Sequence, residues 1–194
     1  MAGHISLPRR RREGLTDFRA RKKAISSHSP LLVVRVSNKN VSSQFVVPRV
    51  KGDEVLSSAH SKQLGKLGWS GSPKSTPACY LLGLFAGKKA QSKGVKEAVL
   101  YNGLVPFIRG SRIAAFVKGV VDSGVSMSVD KEVFPSEERL TGKTISEFAA
   151  GLAKEDKEVY RARFSALIKG GFNPEDYPAQ FEKTKAAIME GAKK

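Results

Sequence analysis

The 194-residue chain has one cysteine, one tryptophan, three histidines and 18 acidic side chains against 34 basic ones. Each shortage excludes something. Cys79 alone cannot form an intramolecular disulfide, and His4, His28 and His60 are spread too far apart in sequence to build a structural zinc site with it. That cysteine usage suits a reducing compartment. Long apolar runs are also missing: ACYLLGLFAG, Ala78 to Gly87, is about half of what a membrane-spanning helix needs, so no transmembrane helix is expected. Arg9 to Arg12 precede EGLTDFRARKK, which is polar and basic where an export signal needs an apolar stretch, so export is not expected. NVS at Asn40 is then a chance match to a glycosylation acceptor.

Catalytic constellations are equally sparse. GLFAGKK, Gly83 to Lys89, has three residues between its glycines where a phosphate loop needs four, and Lys89 stands where a hydroxyl should meet magnesium. The chain contains no G-x-G-x-x-G, G-x-S-x-G or H-E-x-x-H. His60 lies beside Ser61 without an orienting acid nearby in sequence, which favours a surface or RNA-facing histidine over a serine activator. Glu137-Glu138 and Glu155-Asp156 fall in charge-mixed helical text, where solvation is the ordinary reading. Neither an enzyme nor a cofactor is implied.

What is abundant is positive charge. The net charge is +16 and the pI about 10.1, and the first 125 residues carry the whole excess. Residues 126–194 hold 12 basic and 12 acidic side chains, the balance of a solvated surface or protein-facing extension. With 40% apolar residues the chain can form one ordinary core. Three regions are expected: a basic arm over 1–29, an α/β core domain over 30–125 and a helical C-terminal extension over 126–194.

In the arm, RRRREGLTDFRARKKAI has too few large apolar residues to fold alone. A helix from Thr16, capped by that residue and carrying Phe18 and Ile25 on one side, would need a partner to persist. LLVVRV and SQFVV flank the turn sequence SNKN as a hairpin, and GDEVLSSA, Gly52 to Ala59, reads as a third, shorter strand. Thr76 can cap a helix opened by Pro77 and stopped at Gly94. EAVLY, Glu97 to Tyr101, reads as a buried strand. Ser111 can cap a second helix with Ile113, Phe116, Val117, Val120 and Val121 on one face, ending at Gly124.

The order β-β-β-α-β-α needs a right-handed crossover to a parallel strand beside an antiparallel hairpin, so an α/β fold with a central mixed sheet and covering helices is predicted. Helical segments follow at Thr144 to Leu152, Lys157 to Lys169 and from Pro178.

This charge favours nucleic acid, because Lys and Arg neutralise phosphates and release counterions without reading sequence. Compact DNA-reading motifs are missing, which favours RNA. Arg35, Asn38, Lys39 and Gln44 on the hairpin offer fixed donors to phosphate, sugar hydroxyl or base edges. Trp69, in the Gly/Ser/Pro/Lys-rich stretch LGKLGWSGSPK, either stacks on a base or covers the core edge. Four consecutive arginines also fit a solvated or targeting tail. A general RNA chaperone and an α/β enzyme acting on nucleic acid remain as alternatives, separable by selectivity among structured RNAs and by metal-dependent turnover.

A run of blocks in order carries a resemblance: RRRREGLTDFRARK, LLVVRVSNKNVSSQ, SSAHSKQLGKLGW, TPACYLLGLFAGKKA, KEAVLYNGL, GSRIAAFVKGVVDSG and FPSEERLTGKTISEF. They resemble the large-subunit ribosomal protein family that carries 5S rRNA, universal large-subunit protein eighteen, in its archaeal and eukaryotic form. The resemblance spans roughly residues 9 to 150.

It implies a non-enzymatic component of the cytoplasmic ribosome's central protuberance, with 5S rRNA, large-subunit rRNA and neighbouring ribosomal proteins as partners. The RNA contacts it implies begin with Arg9, Arg10, Arg11, Arg12, Phe18, Arg19, Arg21, Lys22 and Lys23 in the arm. Around the hairpin come Arg35, Ser37, Asn38 and Lys39. His60, Ser61, Lys62 and Trp69 match a second block, and Gly110, Ser111 and Arg112 a third. Phe18 stands where the family usually has tyrosine, which removes a hydroxyl contact and keeps an aromatic face. Residues 151–194 match only loosely and are assigned to protein or large-subunit rRNA contacts.

Overall fold

The computed structural model describes residues 6–191, so His4 lies outside them. Helices α1 (Arg9–Arg12) and α2 (Phe18–Ser26) open the chain. Strands β1 (Leu31–Val36), β2 (Val41–Val47) and β3 (Glu54–His60) follow, then α3 (Lys62–Lys66), α4 (Thr76–Gln91), β4 (Val99–Tyr101) and α5 (Arg112–Asp122). The C-terminal part holds α6 (Glu137–Thr141), α7 (Lys143–Glu155), α8 (Lys157–Arg163), α9 (Ser165–Lys169) and α10 (Tyr177–Gly191).

The sheet is mixed, as predicted, in the order β3-β2-β1-β4. β1 pairs antiparallel with β2 and parallel with β4, while β2 and β3 are antiparallel. The hairpin turn is closed by Ser37, whose hydroxyl donates to the Asn40 carbonyl and accepts from the Asn40 amide. β3 is not the shorter strand expected: it equals β2 in length and extends to His60. β4 is shorter than expected and only half-buried, because it forms a sheet edge; Glu97 makes an isolated bridge to Ser126 instead.

Alternation along the strands gives the sheet two faces. Leu32, Val34, Val41, Phe45 and Ala59 enter the main core with α4 and α5. On the other face Leu31 and Val46, with half-buried Val33, Val99 and Tyr101, pack with Ala24 of α2. The arm is therefore not wholly free: α2 docks on the sheet. Its cap is Asp17 rather than the expected Thr16, since the Asp17 carboxylate accepts from the Arg19 and Ala20 amides while the Thr16 hydroxyl accepts from Arg10 Nε.

Ser75, not Thr76, caps α4 by accepting from the Ala78 amide; Thr76 is already in the first turn, followed by Pro77. Ser111 caps α5 as predicted, and Gly94 and Gly124 leave their helices in the left-handed region with φ 81° and 102°.

The predicted helix from Lys157 to Lys169 is broken at Phe164 into α8 and α9, and the last helix begins at Tyr177. Leu140, Phe172, Tyr177, Phe181 and Ile188 join the same core as α4 and α5. The Tyr80 and Phe181 rings lie 5.6 Å apart across the α4–α10 contact. Residues 126–194 thus differ from the rest in charge but share its core.

Candidate nucleic-acid interface

Residues paired across strands point to the same face. Arg35 is opposite Ser42, and Ser42 is opposite His60; Val33 is opposite Gln44 and Tyr101, and Gln44 is opposite Ser58. The α2 face of the sheet therefore carries a polar grid running out from the apolar patch beneath the helix. Arg35, Gln44 and Ser58 are exposed, and Ser42 and His60 are half-buried. At the hairpin tip Asn38 and Lys39 are exposed, while the Ser37 hydroxyl is used by the turn.

The arm runs beside this grid. Arg9 to Arg12 are all exposed, with Arg9 Nε 2.8 Å from a Glu13 carboxylate oxygen. Arg19, Lys22 and Lys23 are exposed on α2, and Phe18 keeps 39% of its surface accessible. Arg21 is different. Its Nη2 lies 2.5 Å from Asp53 Oδ1 and its guanidinium carbon 5.9 Å from the Tyr101 ring centre. The Asp53 carboxylate holds the Arg21 guanidinium above its ordinary pKa, with partial burial opposing. Arg10, Phe18, Arg21 and Arg35 line one groove of about 660 Å³, together with Tyr101 and Asn102.

Other expected contact residues have structural duties. Ser61 is buried, accepting from the Val41 amide and donating to Asn40 Oδ1, so its hydroxyl joins α3 to the hairpin. Trp69 is 5% exposed, with its Nε1 donating to the Ser72 carbonyl and its ring edge-on to Tyr177 at 5.8 Å. Of the two roles open to this indole, the core is the one the fold uses, and base stacking is withdrawn. His60 Nδ1 accepts from the Lys62 amide, which holds the half-buried ring in place, and Lys62 itself is exposed.

Gly110, with φ 66°, donates its amide to the Val133 carbonyl, and Ser111 caps α5. Arg112 is exposed. Among the described residues there is no His, Cys, Asp and Glu group that could hold a metal ion and no helix long and apolar enough to cross a membrane. Tyr101, Asn102, Ser42 and Ser58 are absent from the residues singled out in the sequence. Their signal is cross-strand register, which becomes visible only once the strands are paired.

Fold and face define a class: a strongly basic α/β protein whose sheet is covered by a helical core on one side and presents hydrogen-bonding side chains beside a docked basic helix on the other. Residues 6–97 match the family described as ribosomal large subunit proteins 60S L5, and 50S L18. Large ribosomal subunit protein uL18 of Methanothermobacter thermautotrophicus is 45% identical over 182 residues, covering 94% of this chain and 93% of the relative. That of Caldivirga maquilingensis is 45% identical over 183 residues, covering 94% and 88%. The chain belongs to the uL18 family of large ribosomal subunit proteins.

Proposed function

We propose that this chain is a non-enzymatic structural component of the large ribosomal subunit that binds 5S rRNA and helps dock it in the central protuberance. The observation that carries the reading is the convergence of Arg10, Arg21 and Arg35 with Phe18 in one groove beside the polar grid of the sheet. Exposed arginines and lysines of α1 and α2 neutralise phosphates, while Arg35, Gln44, Asn38 and Lys39 sit on rigid backbone and fix register. Since α2 is already held by Ala24 and by the Arg21–Asp53 ion pair, part of the ordering needed for binding is complete beforehand. Lys62 and Arg112 add further exposed basic side chains. Large-subunit rRNA and neighbouring ribosomal proteins complete the set of partners, with exposed Phe148, Val159 and Ile168 of the C-terminal helices as their contact surface.

The test is a fluorescence-anisotropy titration of labelled 5S rRNA, with transfer RNA as competitor, across a salt series. Preference for 5S rRNA that survives rising salt supports the reading, because shape and base contacts then add to the phosphate contribution. Equal binding of both RNAs that vanishes with salt overturns it in favour of a general RNA binder.

A further inference from the structure

The turn after β4 holds a group that the fold itself leaves without a partner. Asn102 Nδ2 and Oδ1 both lie beneath the surface and make no hydrogen bond. Buried amides are normally satisfied, so an amide with donor and acceptor both idle marks a place where a partner is missing. The surroundings say what kind of partner. Asn102 lines the groove of about 660 Å³ with Arg10, Arg21, Arg35 and Tyr101. Tyr101 offers a half-buried ring with the Arg21 guanidinium over it. The cover is slight: Val105 donates its amide to the Asn102 carbonyl at 3.4 Å, Gly103 takes φ 66°, and Leu104 and Val105 are 59% and 55% exposed.

We infer that this groove receives one unstacked nucleotide of the bound RNA, the base lying against Tyr101 and Arg21 and its edge read by the Asn102 amide. Stacking faces, guanidinium groups and an amide able to donate and accept at once are the chemistry of single-stranded base recognition. Arg10 and Arg35 supply the phosphate partners, and the Asp53 carboxylate keeps phosphate away from the Arg21 end of the groove while holding that guanidinium near the ring. The turn over Asn102 shifts as the base enters, pivoting at Gly103.

This inference rests on the proposed binding of 5S rRNA, and the experiment separates the two. Complexes of full-length protein with 5S rRNA are probed by dimethyl sulfate and carbodiimide, which together report the edges of all four bases, for the wild type, Asn102→Asp and Tyr101→Leu. Melting followed by circular dichroism verifies that the variants fold; Asn102→Asp is close to isosteric and serves if Tyr101→Leu does not. The wild type should protect one unpaired base that Asn102→Asp leaves reactive, with affinity about tenfold weaker in each folded variant, in the range of one lost base contact. Wild-type binding with the same footprint and affinity in both variants overturns the pocket and leaves the 5S rRNA reading standing. Binding of 5S rRNA that protects no unpaired base overturns the pocket alone, and a wild type that does not bind 5S rRNA overturns both.

Discussion

Gly83 of α4 faces the Phe116 carbonyl of α5 so closely that a Cβ built on it would lie 2.0 Å from that oxygen. The contact is reciprocal, since a Cβ on Gly119 would come within 2.2 Å of the Tyr80 carbonyl. Two helices approach backbone to backbone here, and only hydrogen fits between them. Gly83→Ala is therefore expected to cost about 3 kcal/mol, lowering the melting temperature by about 6 to 12 °C. Gly65→Ala, where nothing lies within 4 Å of the added carbon, is the control for helical substitution and should melt no lower than the wild type. Thermal scans of the two variants settle the matter, and equal melting temperatures would count against the close contact.

The segment from Gly170 through α10 is expected to be indispensable to the core. Ending the chain at Lys169 removes Phe172, Tyr177, Phe181 and Ile188, each 5% exposed or less. At about 1.5 to 3 kcal/mol for each buried side chain, the loss is about 6 to 12 kcal/mol, comparable to the whole stability of an ordinary domain. The shortened chain should bind hydrophobic dye and lose cooperative melting. A cooperative transition at the wild-type temperature would show that residues 30–169 form a core without that segment.

Cys79 gives a pH dependence with a definite sign. Burial raises the thiol from its ordinary value to about 12, only slightly offset by the nearby Arg112 charge. Up to the ordinary thiol pKa both states keep the proton and the group is neutral to stability. Above it the unfolded chain ionises and the folded chain does not, so stability falls as pH rises toward 12, by roughly 1.4 kcal/mol per unit. Cys79→Ala should lessen the fall of the denaturation midpoint over that alkaline window, leaving the part due to the buried Tyr80 and Tyr177 hydroxyls, whose pKa values burial also raises, and the native thiol should resist aromatic disulfide reagents at neutral pH. Fast labelling of the folded protein would refute the burial on which both rest.

Alanine at Arg9, Arg10, Arg11 and Arg12 together should reduce the slope of log affinity for 5S rRNA against log salt by about 3 if all four meet phosphate, since each lost phosphate contact removes a little less than one. Melting temperature should not change, because none of these side chains is buried. The same salt slope in variant and wild type would remove α1 from the interface.

Much of the fold follows from local sequence. β-branched runs, the SNKN turn and the glycines after each long helix define the mixed sheet and the stops of α4 and α5, since those signals act over a few residues. Caps shifted by one position for a local reason: Ser75 and Asp17 reach the free amides better than the neighbouring threonines once the first turn is placed. What the local sequence does not show is long-range. Trp69 sits in loop-like text yet finds Tyr177, and Ser61 reaches Val41. Nothing near either residue reveals those partners. Charge balance in 126–194 likewise conceals the five aromatic and aliphatic anchors, Leu140, Phe172, Tyr177, Phe181 and Ile188, that complete the core. The groove combines residues from the arm, β1 and the turn after β4, so the basic arm was legible in the sequence while Tyr101 and Asn102 were not.

The parallel pairing of β1 with β4 has a consequence for synthesis. Leu31 to Val33 must wait for Val99 to Tyr101 before that side of the sheet can close, and the patch on which α2 docks includes Val99 and Tyr101. A chain emerging from the N-terminus therefore releases its arginine-rich segment well before the surface that seats it is complete. During that interval the emerging arm is a bare polycation, and closure of the sheet seats α2 and fixes where its charges stand.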